Sequence, residues 1–155
     1  MAKFAILALL VVGLVGCIPP LEPYGNFVGN APASLNETLA ADTVKQLETL
    51  YPPASTRFDL GQATPDTYGT LLVESLRAKG YALLEFKPAP TTETTQQEPT
   101  AADTLPGLSL RYVLDAPDST NLYRVMVMVG STSLSRAYVV QNSLVFPAGA
   151  WARKE

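Results

Sequence analysis

An α+β fold, with two helices packed on a mainly antiparallel sheet, follows from three patterns in this chain. Two segments in the first half repeat apolar residues at helical spacing. Several others alternate apolar with polar residues, and most of these fall together in the second half.

The first helix is placed by Ser34 and Glu37, which have capping-box spacing: the serine oxygen accepts from a free amide of the first turn and the glutamate reaches back. Leu35, Leu39, Val44, Leu47 and Leu50 follow as one apolar stripe until Pro52-Pro53 forbids continuation. Thr56, Phe58 and Leu60 then alternate with Arg57 and Asp59, which marks a short strand. The second helix is punctuated by Thr64 as cap, Pro65 at the first helical position and Asp66 near the positive end of the dipole. Arg77 and Lys79 lie near its negative end and Gly80 stops it. Tyr68, Leu71, Leu72 and Leu76 form its apolar face, and Tyr81 to Phe86 leaves as a strand.

In the second half, Leu108, Leu110, Tyr112 and Leu114 alternate with Ser109, Arg111 and Val113, and Asp115-Ala116-Pro117-Asp118 turns the chain back. Leu122 to Val129 sets Tyr123, Val125, Val127 and Val129 on one face against Arg124, Met126 and Met128 on the other, so both faces are expected to be at least partly covered. Gly130-Ser131 reads as a hairpin turn and Ser133 to Val140 as the returning strand. Gln141-Asn142 turns again, and Leu144-Val145-Phe146 is the last expected strand.

The amino-terminal segment carries a different kind of information. Met1-Ala2-Lys3 is a short basic leader, and the apolar run Phe4 to Val15 is too short to span a bilayer. Leu14-Val15-Gly16-Cys17 resembles the bacterial lipobox, in which a diacylglyceryl group is transferred to the cysteine thiol and the leader, residues 1–16, is cut off. The new terminus is then acylated, and two or more chains hold a protein on a membrane stably. Cys17 is the expected lipid attachment site, and the covalent lipid is the one non-protein group expected. By analogy with Gram-negative lipoproteins, Ile18 in place of aspartate favours the outer membrane.

Two further stretches are too rich in proline or polar residues to fold alone. Residues 17–33 contain Pro19, Pro20, Pro23, Pro32, Gly25 and Gly29 and read as an extended tether. Its apolar Leu21, Tyr24, Phe27 and Val28 are either covered by a neighbouring subunit or belong to a solvated spacer. Residues 87–106, with four prolines among threonines and glutamines, read as a disordered insertion in a single domain spanning 34–155.

The chemical inventory is thin: the chain has no histidine and one cysteine, which the lipid would consume. Ser-His-Asp catalysis, a cysteine nucleophile and an ordinary zinc site are therefore not expected. A net charge of −3 argues against direct nucleic-acid binding. Asp115 and Asp118 read as turn formers, and Glu74 and Glu85 are merely available to a carboxylate-dependent hydrolase. Arg57, Arg111, Arg124 and Arg136 lie on expected strands, facing water or forming a recognition stripe. The tyrosines suit core contacts. Trp151 either docks on the domain as a lid or is offered to a partner as an anchor.

Thr43 to Phe58 and Leu72 to Ala82 resemble the TrbH lipoproteins of conjugative plasmids. Leu108 to Asp115, Leu122 to Val125, Leu134 to Tyr138 and the ending Pro147 to Glu155 are similar to that family too. The resemblance implies a structural, non-enzymatic lipoprotein of the outer membrane's periplasmic face, part of the type IV secretion apparatus for mating-pair formation. It also implies core-complex subunits as partners, with no small-molecule substrate, and a globular domain similar to the one at the amino end of secretins. Relatives with a second cysteine form a disulfide to a neighbour; this chain has none, so docking would rest on apolar contact and strand addition. An assembly or regulatory lipoprotein for lipopolysaccharide export or cell-wall synthesis is the alternative.

Overall fold

The computed structural model describes residues 23–29, 31–88, 107–117 and 121–155. The lipobox with Cys17, the tether residue Leu21 and nearly all of the expected insertion at 87–106 lie outside them. The elements run β1 (Gly25–Asn26), α1 (Ala33–Leu50), a 3₁₀ turn (Pro53–Ser55), β2 (Arg57–Leu60), α2 (Thr67–Ala78), β3 (Ala82–Leu84), β4 (Leu108–Asp115), β5 (Leu122–Val129), β6 (Thr132–Gln141), β7 (Leu144–Pro147) and β8 (Ala152–Lys154). They make one eight-stranded sheet in the order β3-β2-β4-β5-β6-β7, with β1 also on β4 and β8 also on β6. From β4 onward every pairing is antiparallel, whereas β1, β2 and β3 join in parallel, β2-α2-β3 being a βαβ unit.

The fold is therefore α+β as expected, with both helices contributing to one apolar core. Leu35, Leu39, Val44 and Leu47 of α1 and Tyr68, Leu72 and Leu76 of α2 meet the inward residues of the sheet, among them Phe58, Leu110, Leu114, Val127 and Leu134. Buried phenols find polar partners inside: Tyr68 and Thr43 share a hydrogen bond of 3.0 Å, and the Tyr68 ring meets that of Tyr112 edge-on at 5.1 Å.

Both helix starts differ from the expected ones. The capping box at Ser34 and Glu37 is not made, because α1 begins at Ala33, two residues before the Leu35 that a Ser34 cap would put first. Pro32, with φ fixed at −56°, acts as the cap and its carbonyl accepts from Leu35 and Asn36 N–H at 3.0 and 3.4 Å. In α2 the cap is Asp66 and not Thr64: its carboxylate accepts from Gly69 N–H at 2.9 Å, and an anionic acceptor suits the positive helix end better than a threonine hydroxyl. The expected stop at Gly80 is present. With φ at +86°, Gly80 N–H returns to Arg77 and Tyr81 N–H to Leu76, a Schellman ending that turns the chain into β3.

Hairpin geometry explains the strand register. Gly130 at φ +57° joins β5 to β6, pairing Val129 with Thr132. The next turn falls one residue later than expected, at Asn142-Ser143, both left-handed at φ 51° and 62°, a combination that matches the twist of a two-residue hairpin. β8 was not expected; three residues carry no readable alternation.

Gly69 sits where α2 crosses β4. A Cβ there would collide with the Tyr112 phenol oxygen and approach Thr64 Cβ to 3.0 Å. Gly69→Ala is expected to lower stability by about 1–3 kcal/mol through overpacking, read as an earlier urea midpoint with an unchanged slope.

Candidate interaction surface

The first part of the surface arises from an unequal pair of strands. β4 has eight residues and β2 only four, so β2 satisfies β4 only as far as Leu110, whose carbonyl takes Gly61 N–H at 2.9 Å. Gln62 then continues the edge with its side chain: Oε1 accepts from Tyr112 N–H at 2.9 Å. The last part is supplied by β1, which pairs Gly25 and Asn26 with Val113 and Leu114, while Phe27 N–H bonds Leu114 O at 2.8 Å. Backbone groups of a central strand must find partners, and here three separate segments provide them in turn.

This changes the reading of the 17–33 tether, of which Gly25 to Phe27 join the sheet and Pro32-Ala33 begin α1. Tyr24 is half-buried, with the Arg111 guanidinium 4.9 Å from its ring centroid, while Arg111 Nε also donates to Gly61 O at 3.3 Å. Tyr24 helps line a groove of about 320 Å³ between β1 and the loop before α2. Val28 is half-buried against the core, but Phe27 is 55% exposed.

Trp151 docks on its own chain. Its indole N–H donates to Asp42 Oδ2 at 3.2 Å, and the same oxygen accepts from Arg136 at 2.8 Å and Tyr138 at 2.6 Å. Arg136 Nε meanwhile donates to Gly149 O at 2.8 Å. One carboxylate on α1 thus ties β6 to the loop between β7 and β8. Asp42 escaped the sequence reading, although a signal existed: Arg136 shares strand parity with the inward-facing Leu134 and Tyr138, so a buried carboxylate had to be near.

The other strand arginines are engaged as well, Arg57 half-buried and Arg124 facing water. Arg57 meets Asp59 at 3.0 Å and Arg124 meets Asp115 at 2.6 Å. Each such surface pair contributes only about 0–1 kcal/mol. Their effect is to leave the exposed apolar residues as the conspicuous unpartnered groups: Phe27, Leu84, Phe86, Leu108, Leu144 and Phe146. On β7, Pro147 removes a donor from the outer edge and so limits strand addition there. Among the described residues no cluster of three or more metal-ligating side chains occurs, and no helix is long and apolar enough to cross a membrane.

Two helices and a mainly antiparallel eight-stranded sheet, with several apolar side chains left exposed, define the class as an α+β domain. The chain belongs to the TrbH family, matching the family model described as Conjugal transfer protein TrbH over residues 21–155. No curated protein and no solved structure matches it.

Removing the Asp42 carboxylate leaves a largely buried guanidinium, a phenol and an indole without their acceptor. Asp42→Ala is expected to cost about 2–4 kcal/mol and to shift the emission of Trp151, the one tryptophan of the chain, to the red.

The buried phenols make the fold sensitive to alkali. Burial pushes Tyr68, Tyr112 and Tyr138 far up, reinforced for Tyr112 by its hydrogen bond to Asp66 and for Tyr138 by that to Asp42. Burial, with the nearby Glu48 charge, pushes Tyr81 up to about 12. The folded state favours the neutral phenols, so stability is fully present below about pH 10, the unfolded value, and is lost as pH rises through about 12. Urea midpoints should hold steady up to about pH 9 and fall above about pH 10. Tyrosinate absorbance of these four should appear together with loss of near-ultraviolet dichroism.

Proposed function

We propose that this TrbH-family conjugal transfer protein is a structural lipoprotein of the mating-pair-formation complex, a type IV secretion apparatus. Cys17 carries the lipid, the outer membrane's periplasmic face is the location, and other subunits of the core complex are the partners; the protein has no catalytic role. The family match over residues 21–155 carries the transfer role. The lipobox-like Leu14-Val15-Gly16-Cys17 supports the anchor.

The division of labour follows from the fold. The lipid supplies location, and residues 18–23 supply a short link. β1 is the point where that link joins the sheet, through Phe27 N–H on Leu114 O and the Arg111–Tyr24 contact. A load on the amino-terminal segment would therefore reach β4 directly and pass into the sheet. Partner contact falls to exposed apolar groups such as Phe27, with Trp151 kept for holding the carboxyl end in place.

Cys17→Ser, expressed in a donor strain, is expected to lose labelling by fatty acid, to appear in the soluble periplasmic fraction and to reduce plasmid transfer. The soluble variant should keep the dichroism of the folded domain. A Cys17→Ser protein that stays in membranes and supports undiminished transfer would remove the anchor reading.

A further inference from the structure

Strand register gathers several chain segments at one end of the sheet. β1 and β4 both run toward that end, β5 starts there, and the β6–β7 hairpin turns there. The start of α1 joins them: Pro32, Ser34 and Leu35 border a cavity of about 230 Å³ together with Asn121, Asn142 and Ser143. The described rim includes the uncharged Phe27, Pro32, Ala33, Pro117, Asn142 and Leu144, together with Asp115, which stands beside Phe27 in register. Phe27 is 55% and Leu144 60% exposed, the two largest exposures among the big apolar side chains. The nearest charges are Glu37, one helical turn in, and the Asp115–Arg124 ion pair, whose members neutralise each other.

The opposite end is charged. The Glu48–Lys79 and Arg77–Glu85 pairs lie toward it, and Arg153, Lys154 and Glu155 follow along β8. Phe27 and Leu144 stand on strands separated by three others, roughly 19 Å apart across the strands at 4.8 Å each and about 13 Å apart along them, Leu144 being four residues nearer the end. Such a pair suits a broad flat surface better than a narrow cleft.

We propose that this charge-poor rim rests on the lipid bilayer surface, with Phe27 and Leu144 as its two apolar footholds. The inference rests on the lipid anchor at Cys17 proposed above. The length of chain before the described residues supports it: from Cys17 to Tyr24 the link spans at most about 25 Å when fully extended. Tyr24 precedes the rim by three residues, or about 10 Å of strand. The domain therefore stays within reach of the membrane, and either end of the sheet could meet it. Desolvation favours the rim, since it presents phenylalanine, leucine, proline and small residues with the single Asp115–Arg124 pair, whereas at the other end the exposed Leu84, Phe86 and Leu108 lie among the Glu48–Lys79 and Arg77–Glu85 pairs and the Arg153 to Glu155 terminus, all of which would have to be desolvated.

The test uses full-length lipidated protein in vesicles of phosphatidylethanolamine and phosphatidylglycerol. Phe27→Cys, Leu144→Cys and, at the far end, Ser131→Cys each receive the environment-sensitive fluorophore NBD, Cys17 being blocked by its lipid. Spin-labelled lipid at headgroup depth serves as quencher. Labels at 27 and 144 are expected to emit further to the blue than the label at 131 and to be quenched several-fold more. Protein that floats with the vesicles while all three labels behave alike overturns the rim contact and leaves the anchor standing. Protein that does not float overturns the anchor and the contact with it. A response at 27 and 144 seen only after other transfer proteins are added overturns the lipid surface in favour of a protein one.

Discussion

The unmatched length of β2 and β4 governs how this domain is built. A four-residue strand beside an eight-residue one leaves central backbone groups that must be satisfied from elsewhere. Gln62 meets the first demand with its side chain and β1 the second with its backbone. The segment before α1 is thereby made part of the sheet. The same problem recurs across the molecule, where the ten-residue β6 is flanked on its outer side by the four-residue β7 and then the three-residue β8. There the break between the two short strands is closed from below, by Asp42 gathering Arg136, Tyr138 and Trp151.

Two devices of opposite character thus complete the two sides of the sheet. On the β4 side a neutral amide stands in for a missing strand; its Nε2 has no partner among the described residues, a cost accepted because Oε1 must face the Tyr112 amide. On the β6 side a charge does the joining, and it is effective because three donors converge on one oxygen inside a largely buried junction. Neither device offers a reactive group to solvent.

Much of this architecture was legible in the residues. The stripes of α1 and α2 could be read because leucines recur every three or four positions, and β4 to β7 because apolar and polar residues alternate over enough length. Each cap was misplaced by two residues: several competent acceptors lie close together at each helix start, and only geometry decides which carbonyl or carboxylate is in reach. β1 and β8 were invisible, since two or three residues have no period and their pairing is dictated by vacancies on partners more than eighty and fifteen residues away. Tyr24 and Val28 were singled out as apolar residues needing cover, which their own sheet and core supply. Phe27 remained outside. The open question at Trp151 resolves toward docking because of Asp42, a residue whose helix position gives no hint of its role.

The βαβ unit has a consequence for the long connection that follows it. β3 and β4 flank β2 in the same direction, and Leu84 and Ser109 both stand opposite Asp59. The points where the connection leaves and rejoins the sheet are therefore only two strand spacings apart, roughly 10 Å. Joining them requires a handful of residues, and loop-closure entropy rises by only about 0.6 kcal/mol for each doubling of length. The fold of the sheet therefore places little demand on how long that connection is.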